Sequence, residues 1–253
     1  MERPPARIVS LVPSTTESVC TFGAAARLVG CTRWCTEPAA ALAHVRRIGG
    51  TKNPDREAIA ALAPDLVLAN AEENRAEDIE WLQQRVPVLV QTPRTVPDAI
   101  AELRVLAGRL GAGGAANDLI AAIAAEPPRA EAPSGRVPRV YYAIWRKPWM
   151  SVGRETFIED VLTRSGAVNV CAGEAGHYPE VEPAAAVARG VDVVLLASEP
   201  WAFDAAQRDA VRAARVFGDA RVELCDGRDF CWHGTHMRIG LPRARALIRS
   251  LGG

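Results

Sequence analysis

The sequence predicts an α/β fold of two similar lobes, each a mainly parallel sheet flanked by helices, joined by a connecting helix. Three observations carry this. Short apolar runs rich in β-branched residues alternate with alanine-rich amphipathic stretches, which is the pattern of parallel sheet covered on both faces. The pattern occurs twice. Arg7–Val12, a Pro-Ser-Thr-Thr-Glu loop and a helical stretch ending at Gly23 are matched by Arg139–Trp145, a Gly-Arg-Glu-Thr loop and a helical stretch ending at Gly166. The two copies are separated by Glu126–Pro138, a segment dense in proline and small polar residues that reads as a linker.

The elements follow in order. Strands are expected at Ile8–Val12, Leu28–Cys31, Leu66–Ala69 and Val86–Val90 in the first lobe, and at Val137–Ile144, Val191–Leu196 and Val222–Leu224 in the second. Asp55–Leu62 starts after Asn53-Pro54 and stops before Pro64, as a helix should. Glu77–Arg85 is a second helix. Pro97–Leu110 is a third, with Pro97 in its first turn and Gly111 as its cap. Ala115–Ala125 is again helical, with an expected length of about 17 Å. The first lobe is therefore placed at 1–110, the connecting helix and linker at 111–136, and the second lobe at 137–253. Two such lobes predict a crevice between them, at the carboxyl ends of parallel strands where α/β folds bind ligands.

Composition narrows the function. The chain has 253 residues, enough for two small domains, and 30 basic against 30 acidic side chains. Zero formal charge argues against a nucleic-acid surface built on bulk positive charge. The arginines of Arg238–Arg249 read as the wet face of a final helix. No apolar run approaches the roughly 20 residues that span a bilayer. The amino-terminal segment has no secretory signal pattern, so the chain as written is expected in the cytoplasm, or in the periplasm for a mature form trimmed of its signal. The six cysteines form no CxxC pair and are expected as free, mostly buried thiols. Cys31 and Cys35 are expected to face one another only if their segment is helical. No GxSxG elbow, HExxH or P-loop is present.

The order RIVSLVPSTTE, LVG, a loop with Trp34, IGG and NPDREAIAALAPDLVLA resembles the amino-terminal lobe of the vitamin B12-binding proteins, receptors that hand corrinoids, haem or iron–siderophores to ABC importers. RVYYAIW, PWMSVGRETFIEDVLTRSGAVNV, YPEV, VDVVLLASEP and DFCWHGTHMR continue the resemblance through the second half. It implies two Rossmann-like lobes joined by a helix, the class III periplasmic-binding-protein fold. It also implies a non-enzymatic receptor with no cofactor of its own, its ligand being a corrinoid or another metal chelate: cobalamin, cobinamide, haem or a ferric siderophore. The family's docking glutamate for an ABC permease falls at Glu57, and its second-lobe counterpart falls at Ala185.

The resemblance places ligand contacts at Trp34, at Trp149 and Met150, and at Tyr178, where aromatic faces suit a large flat ligand. Trp232 lies in the closing loop, and Asn70, Thr51 and Lys52 make the expected pocket more polar. Pro13 and Ser14 open the first helix, whose backbone N–H groups can receive ligand oxygens, as can those at Arg154. Trp81 and Trp145 read as packing residues, and Trp201 is balanced between packing and pocket. Cys231–Arg238 concentrates metal-binding chemistry: His233 and His236 are candidate metal or axial contacts, at i, i+3 if a helix begins there. Arg238 is a candidate clamp for carboxylate or phosphate. A second reading, from a different class, is a cytoplasmic chelatase-like enzyme built on His233, His236 and His177.

Overall fold

The computed structural model describes residues 3–127 and 136–252. The central stretch of the expected linker, 128–135, lies outside the described residues. The chain forms two compact units. The first comprises Met1–Pro93, Pro97–Ala124 and His233–His236, and the second Arg94–Val96, Ala125–Trp232 and Met237–Gly253.

The first unit contains β1 (Ile8–Ser10), α1 (Pro13–Thr21), β2 (Leu28–Cys31), α2 (Ala39–Leu42), β3 (Arg46–Arg47), α3 (Arg56–Ala61), β4 (Leu66–Asn70), α4 (Ala76–Gln83) and β5 (Val88–Gln91). It ends with α5 (Val96–Leu110) and α6 (Gly114–Ala124). Its five strands are all parallel, in the order β3-β2-β1-β4-β5. Every residue of β1 and β4 is buried, so both faces of these strands are covered and the sequence there is a near-continuous apolar run. Val9, Leu11, Ile48, Ile59, Val67, Ile79 and Leu82 form the core on which the helices pack. Asp55 caps α3 by accepting from the Ala58 N–H at 2.9 Å, a contact worth about 1 kcal/mol. α6, expected as part of a connector, packs with this unit.

The second unit contains β6 (Arg139–Ala143), β7 (Trp145–Arg146), β8 (Trp149–Met150), α7 (Phe157–Arg164), β9 (Val168–Asn169), α8 (Pro183–Ala188), β10 (Val193–Ala197), α9 (Ala205–Ala213), β11 (Arg221–Cys225), α10 (Arg228–Cys231) and α11 (Met237–Leu251). Four parallel strands run in the order β11-β10-β6-β9. β7 and β8 form a small antiparallel hairpin where the sequence pattern predicts a strand running into a loop. Tyr141, Phe217, Phe203 and Val194 lie in the core. Tyr141 donates its hydroxyl proton to the Val181 carbonyl at 3.0 Å, which satisfies the polar end of a fully buried ring. Arg94 and the Val96 N–H reach Glu155 and Asp160 at 3.0 and 2.7 Å, which accounts for residues 94–96 clustering here. No helix of the described residues is long and apolar enough to cross a membrane.

Candidate functional site

In the first unit the strands β1, β2 and β4 deliver their carboxyl ends to one edge, and the loops that follow carry the expected ligand contacts. Pro13 occupies the first turn of α1, where its missing N–H costs nothing. Ser14 follows it. The strand β4 ends on Asn70, whose Oδ1 accepts from the N–H groups of Glu72 (2.8 Å) and Glu73 (3.1 Å). That leaves the amide nitrogen to donate, and it lies 3.3 Å from His233 Nε2. Ser14 Oγ is 3.5 Å from the same nitrogen. Three of the expected residues, far apart in the chain, thus meet in one buried group. His233 is 6% exposed, and burial lowers the pKa of its imidazole from 6.5 to about 4. It is a neutral ring at physiological pH, with Nε2 as acceptor and the proton on Nδ1.

His236 is buried too, with Nδ1 3.4 Å from Glu17 Oε2 on α1. Neither histidine lies on a helix: α10 ends at Cys231 and α11 begins at Met237, and Gly234 between them has φ +100°. The i, i+3 spacing therefore does not align the two rings, and each faces different partners. Among the described residues no group of three or more His, Cys, Asp or Glu side chains could hold a metal ion. His177 belongs to the other unit, 3.9 Å from Glu155 and edge-on to Tyr178.

The aromatic residues divide into two groups. Trp34 is 60% exposed in the loop after β2, and Tyr178 is 37% exposed in its own unit. Trp149 is half-buried, stacked 6.1 Å from Phe203 and edge-on to Phe217 at 5.1 Å, so much of its surface serves the core of the second unit. Met150 sits beside it on β8, half-buried. Trp232 is 8% exposed, with the Arg228 guanidinium 5.9 Å from its ring centre. Trp81 carries Arg85 across its face at 3.9 Å. Trp145 and Trp201, both half-buried, meet edge to face at 4.6 Å. Arg238 is exposed in the first turn of α11, and Glu57 is exposed in the first turn of α3. Lys52 Nζ donates to the Glu72 carbonyl at 2.6 Å, and Asn74 Nδ2 donates to the Thr51 carbonyl at 3.0 Å. These bonds tie the loops after β3 and β4 together.

The sequence reading missed the polar frame under this edge. Thr15 Oγ1 donates to Gln91 Oε1 at 2.8 Å, and Ser18 Oγ accepts from the Thr235 N–H at 3.0 Å. Ser14, Thr15, Thr16 and Ser18 are all buried. An apolar run ending in four hydroxyls within five residues was the available signal. A hollow of about 720 Å³, lined by Pro4, Asp65, Pro87 and Gly111, lies at the opposite, amino-terminal ends of β4 and β5, away from these residues.

The model of the family described as periplasmic binding protein matches residues 8–217. The vitamin B12-binding protein of Pectobacterium carotovorum is 25% identical over 201 residues, covering 78% of this chain and 72% of its own length. Among solved structures, the periplasmic vitamin B12 binding protein BtuF of Vibrio cholerae superposes with a TM-score of 0.81 at 19% identity, over 98% of both chains. The periplasmic heme-binding protein RhuT from Roseiflexus sp. RS-1 gives 0.82 at 20% identity, over 98% of this chain and 99% of its own. These likenesses show the fold expected from the sequence: α/β, with two parallel sheets of the class III type. By extent of match and by architecture, the chain belongs to the periplasmic binding protein family.

Proposed function

We propose that this protein is a non-enzymatic receptor for a corrinoid or a related metal chelate, held at the carboxyl ends of the strands for delivery to an ABC importer. The observation that carries this is the pairing of an exposed indole, Trp34, with the buried polar group of Ser14, Asn70 and His233 at the same edge of the first sheet. A flat macrocycle needs an apolar face to lie on and few, fixed polar contacts at its rim. The relatives' ligands, vitamin B12 and heme, are of that class. The metal arrives inside the ligand, so the protein requires no cofactor. The enzyme reading on His233, His236 and His177 loses its support: His233 Nε2 is occupied by Asn70 and Ser14, and the family and its relatives are binding proteins.

The test is tryptophan-fluorescence titration with cobalamin, cobinamide, haemin and ferric siderophores, with a bare zinc salt as control. One intact chelate is expected to give saturable one-to-one quenching. Trp34→Ala is expected to weaken that binding by about 2 kcal/mol, roughly 30-fold, with Tm unchanged because the indole packs little in the free protein. Silence from every chelate together with a response to zinc would overturn the receptor reading.

Docking is tested separately. Glu57 is exposed in the first turn of α3 and is not among the expected ligand contacts, so Glu57→Lys is expected to leave chelate affinity unchanged and to cut cellular uptake roughly tenfold through like-charge contact with the permease. Glu57→Gln should fall between. Normal uptake by Glu57→Lys would remove this residue from the docking surface.

A further inference from the structure

The end of β2 and the turn that carries Trp34 hold two thiols that chelate binding does not use. Cys31 and Cys35 are both fully buried, four residues apart, and meet the same Arg47 guanidinium. No helix brings them together, contrary to the sequence expectation. The turn over Thr32–Trp34 does so, closed by the Cys35 N–H on the Thr32 carbonyl at 3.2 Å. Cys35 Sγ lies 3.1 Å from Thr16 Oγ1 and 3.1 Å from Thr32 Oγ1. Arg47, on the edge strand β3, places Nη1 2.8 Å from Cys31 Sγ. The same nitrogen donates to the carbonyls of Thr32 at 3.2 Å and Cys35 at 2.6 Å. A guanidinium thus clamps the turn and both ends of the thiol pair. Structural thiols are normally surrounded by apolar side chains; this pair is surrounded by a cation and two hydroxyls.

We propose that Cys31 and Cys35 are a redox-active pair, which hydrogen peroxide converts to a disulfide across the turn, and that this shifts the position of Trp34. Cys35 is the attacking sulfur. The neighbouring Cys31 thiol first, then the hydroxyls of Thr16 and Thr32, lower its pKa against the opposing effect of burial. The thiolate attacks one peroxide oxygen, the O–O bond breaks, and the departing hydroxide takes a proton to become water. Cys35 is left as sulfenic acid. The Cys31 sulfur attacks that sulfur, the S–S bond forms, and the sulfenic hydroxyl leaves as a second water with the Cys31 proton. Two electrons pass from the sulfur pair to the peroxide, and a dithiol reverses the step. Because both sulfurs are buried, the rate is that of loop opening. Arg33 and Trp34 lie between the two cysteines, so the disulfide fixes both ends of the segment that carries the exposed indole. Only the consequence for chelate affinity rests on the proposed function; the thiol chemistry stands without it.

Trypsin cuts after Arg27, Arg33 and Arg46, so the disulfide is read by mass spectrometry as Leu28–Arg33 joined to Trp34–Arg46. After peroxide treatment and alkylation of the whole protein, that linked pair is expected as the main product, reversed by dithiothreitol and absent from Cys31→Ser and Cys35→Ser. Arg47→Gln is expected to speed its formation about fivefold, since loop opening sets the rate and the guanidinium that clamps the turn is gone. Oxidation should shift tryptophan emission in the wild type and not in Trp34→Phe. Recovery of Cys31 and Cys35 as alkylated thiols, linkage of Cys35 to Cys20, or sulfinic acid without a disulfide would overturn the pair. Equal emission shifts in the wild type and Trp34→Phe would overturn its link to Trp34. Each outcome is read without any chelate, so it is independent of the receptor reading.

Discussion

Gly234→Ala is expected to destabilise the protein by about 3–4 kcal/mol, measured as the loss of unfolding free energy in urea at pH 8. Gly234 has φ +100°, a conformation that costs an alanine about 1–2 kcal/mol on its own. An added Cβ would also land on Ser18 Oγ. That oxygen cannot retreat freely. It donates to the Ser14 carbonyl at 2.9 Å and accepts from the Thr235 N–H at 3.0 Å, and pushing it aside leaves buried polar groups unpaired at about 1–3 kcal/mol. Ser18→Ala removes the struck oxygen while leaving its Cβ at an ordinary 3.7 Å from the added methyl. In the double variant the collision is gone and the backbone strain stays, so Gly234→Ala should cost about 1–2 kcal/mol less in the Ser18→Ala background. Simple additivity would show that strain alone sets the effect. The loop fixed here also carries His233, so the single variant should lose chelate binding in step with the loss of local order.

The fold was legible where one physical cause dominates. Leu28–Cys31 and Leu66–Asn70 are strands because buried parallel sheet needs β-branched or apolar residues on both faces, and the sequence supplies them without interruption. α1 and α7 end just before Gly23 and Gly166, both at positive φ, as their glycines announced. β3 is illegible in the sequence because it is two exposed arginines, which carry neither an apolar run nor an alternating pattern. The hairpin of β7 and β8 escaped because its connection, Lys147-Pro148, carries none of the glycine or asparagine signals of a tight turn.

The site was legible by residue type and opaque by geometry. Ser14, Asn70 and His233 were each singled out, yet their meeting depends on separations of 219 and 163 residues that no local pattern reports. Chemistry-rich composition in Cys231–Arg238 suggested metal ligands, whereas packing commits His233 to Asn70 and Ser14 and turns His236 towards Glu17. In sequence, an i, i+4 approach of Cys31 and Cys35 implies a helix; a turn closed by Thr32 and clamped by Arg47 instead brings both residues to one guanidinium. In each case the deciding partner is distant in sequence or acts through the backbone.

His233 is expected to make the protein lose about 3 kcal/mol of stability as the pH falls from 6.5 to 4, the shift between those two values multiplied by about 1.4 kcal/mol per unit. In the unfolded chain the imidazole takes up its proton near pH 6.5; in the fold, burial delays this to about 4. Between these values unfolding takes up a proton, so acid favours the unfolded state, and above pH 7 the group makes no pH-dependent contribution because both states are neutral. His233→Gln retains an acceptor that the Asn70 amide can reach and has nothing to protonate. At pH 8 it should cost about 1–2 kcal/mol, the usual consequence of an imperfectly matched buried hydrogen bond. At pH 4.5 the order should narrow or reverse, because the wild type alone carries the protonation penalty. The measurement is urea unfolding of both proteins at half-unit steps from pH 4 to 8. The carboxylates titrate in both, so the difference between the two curves isolates the imidazole. Parallel curves would mean that His233 is solvated or already charged in the fold, and the neutral acceptor at the centre of the Ser14–Asn70 group would have to be abandoned. Curves that converge towards acid would establish a neutral, hydrogen-bonded ring at the centre of the Ser14–Asn70 group.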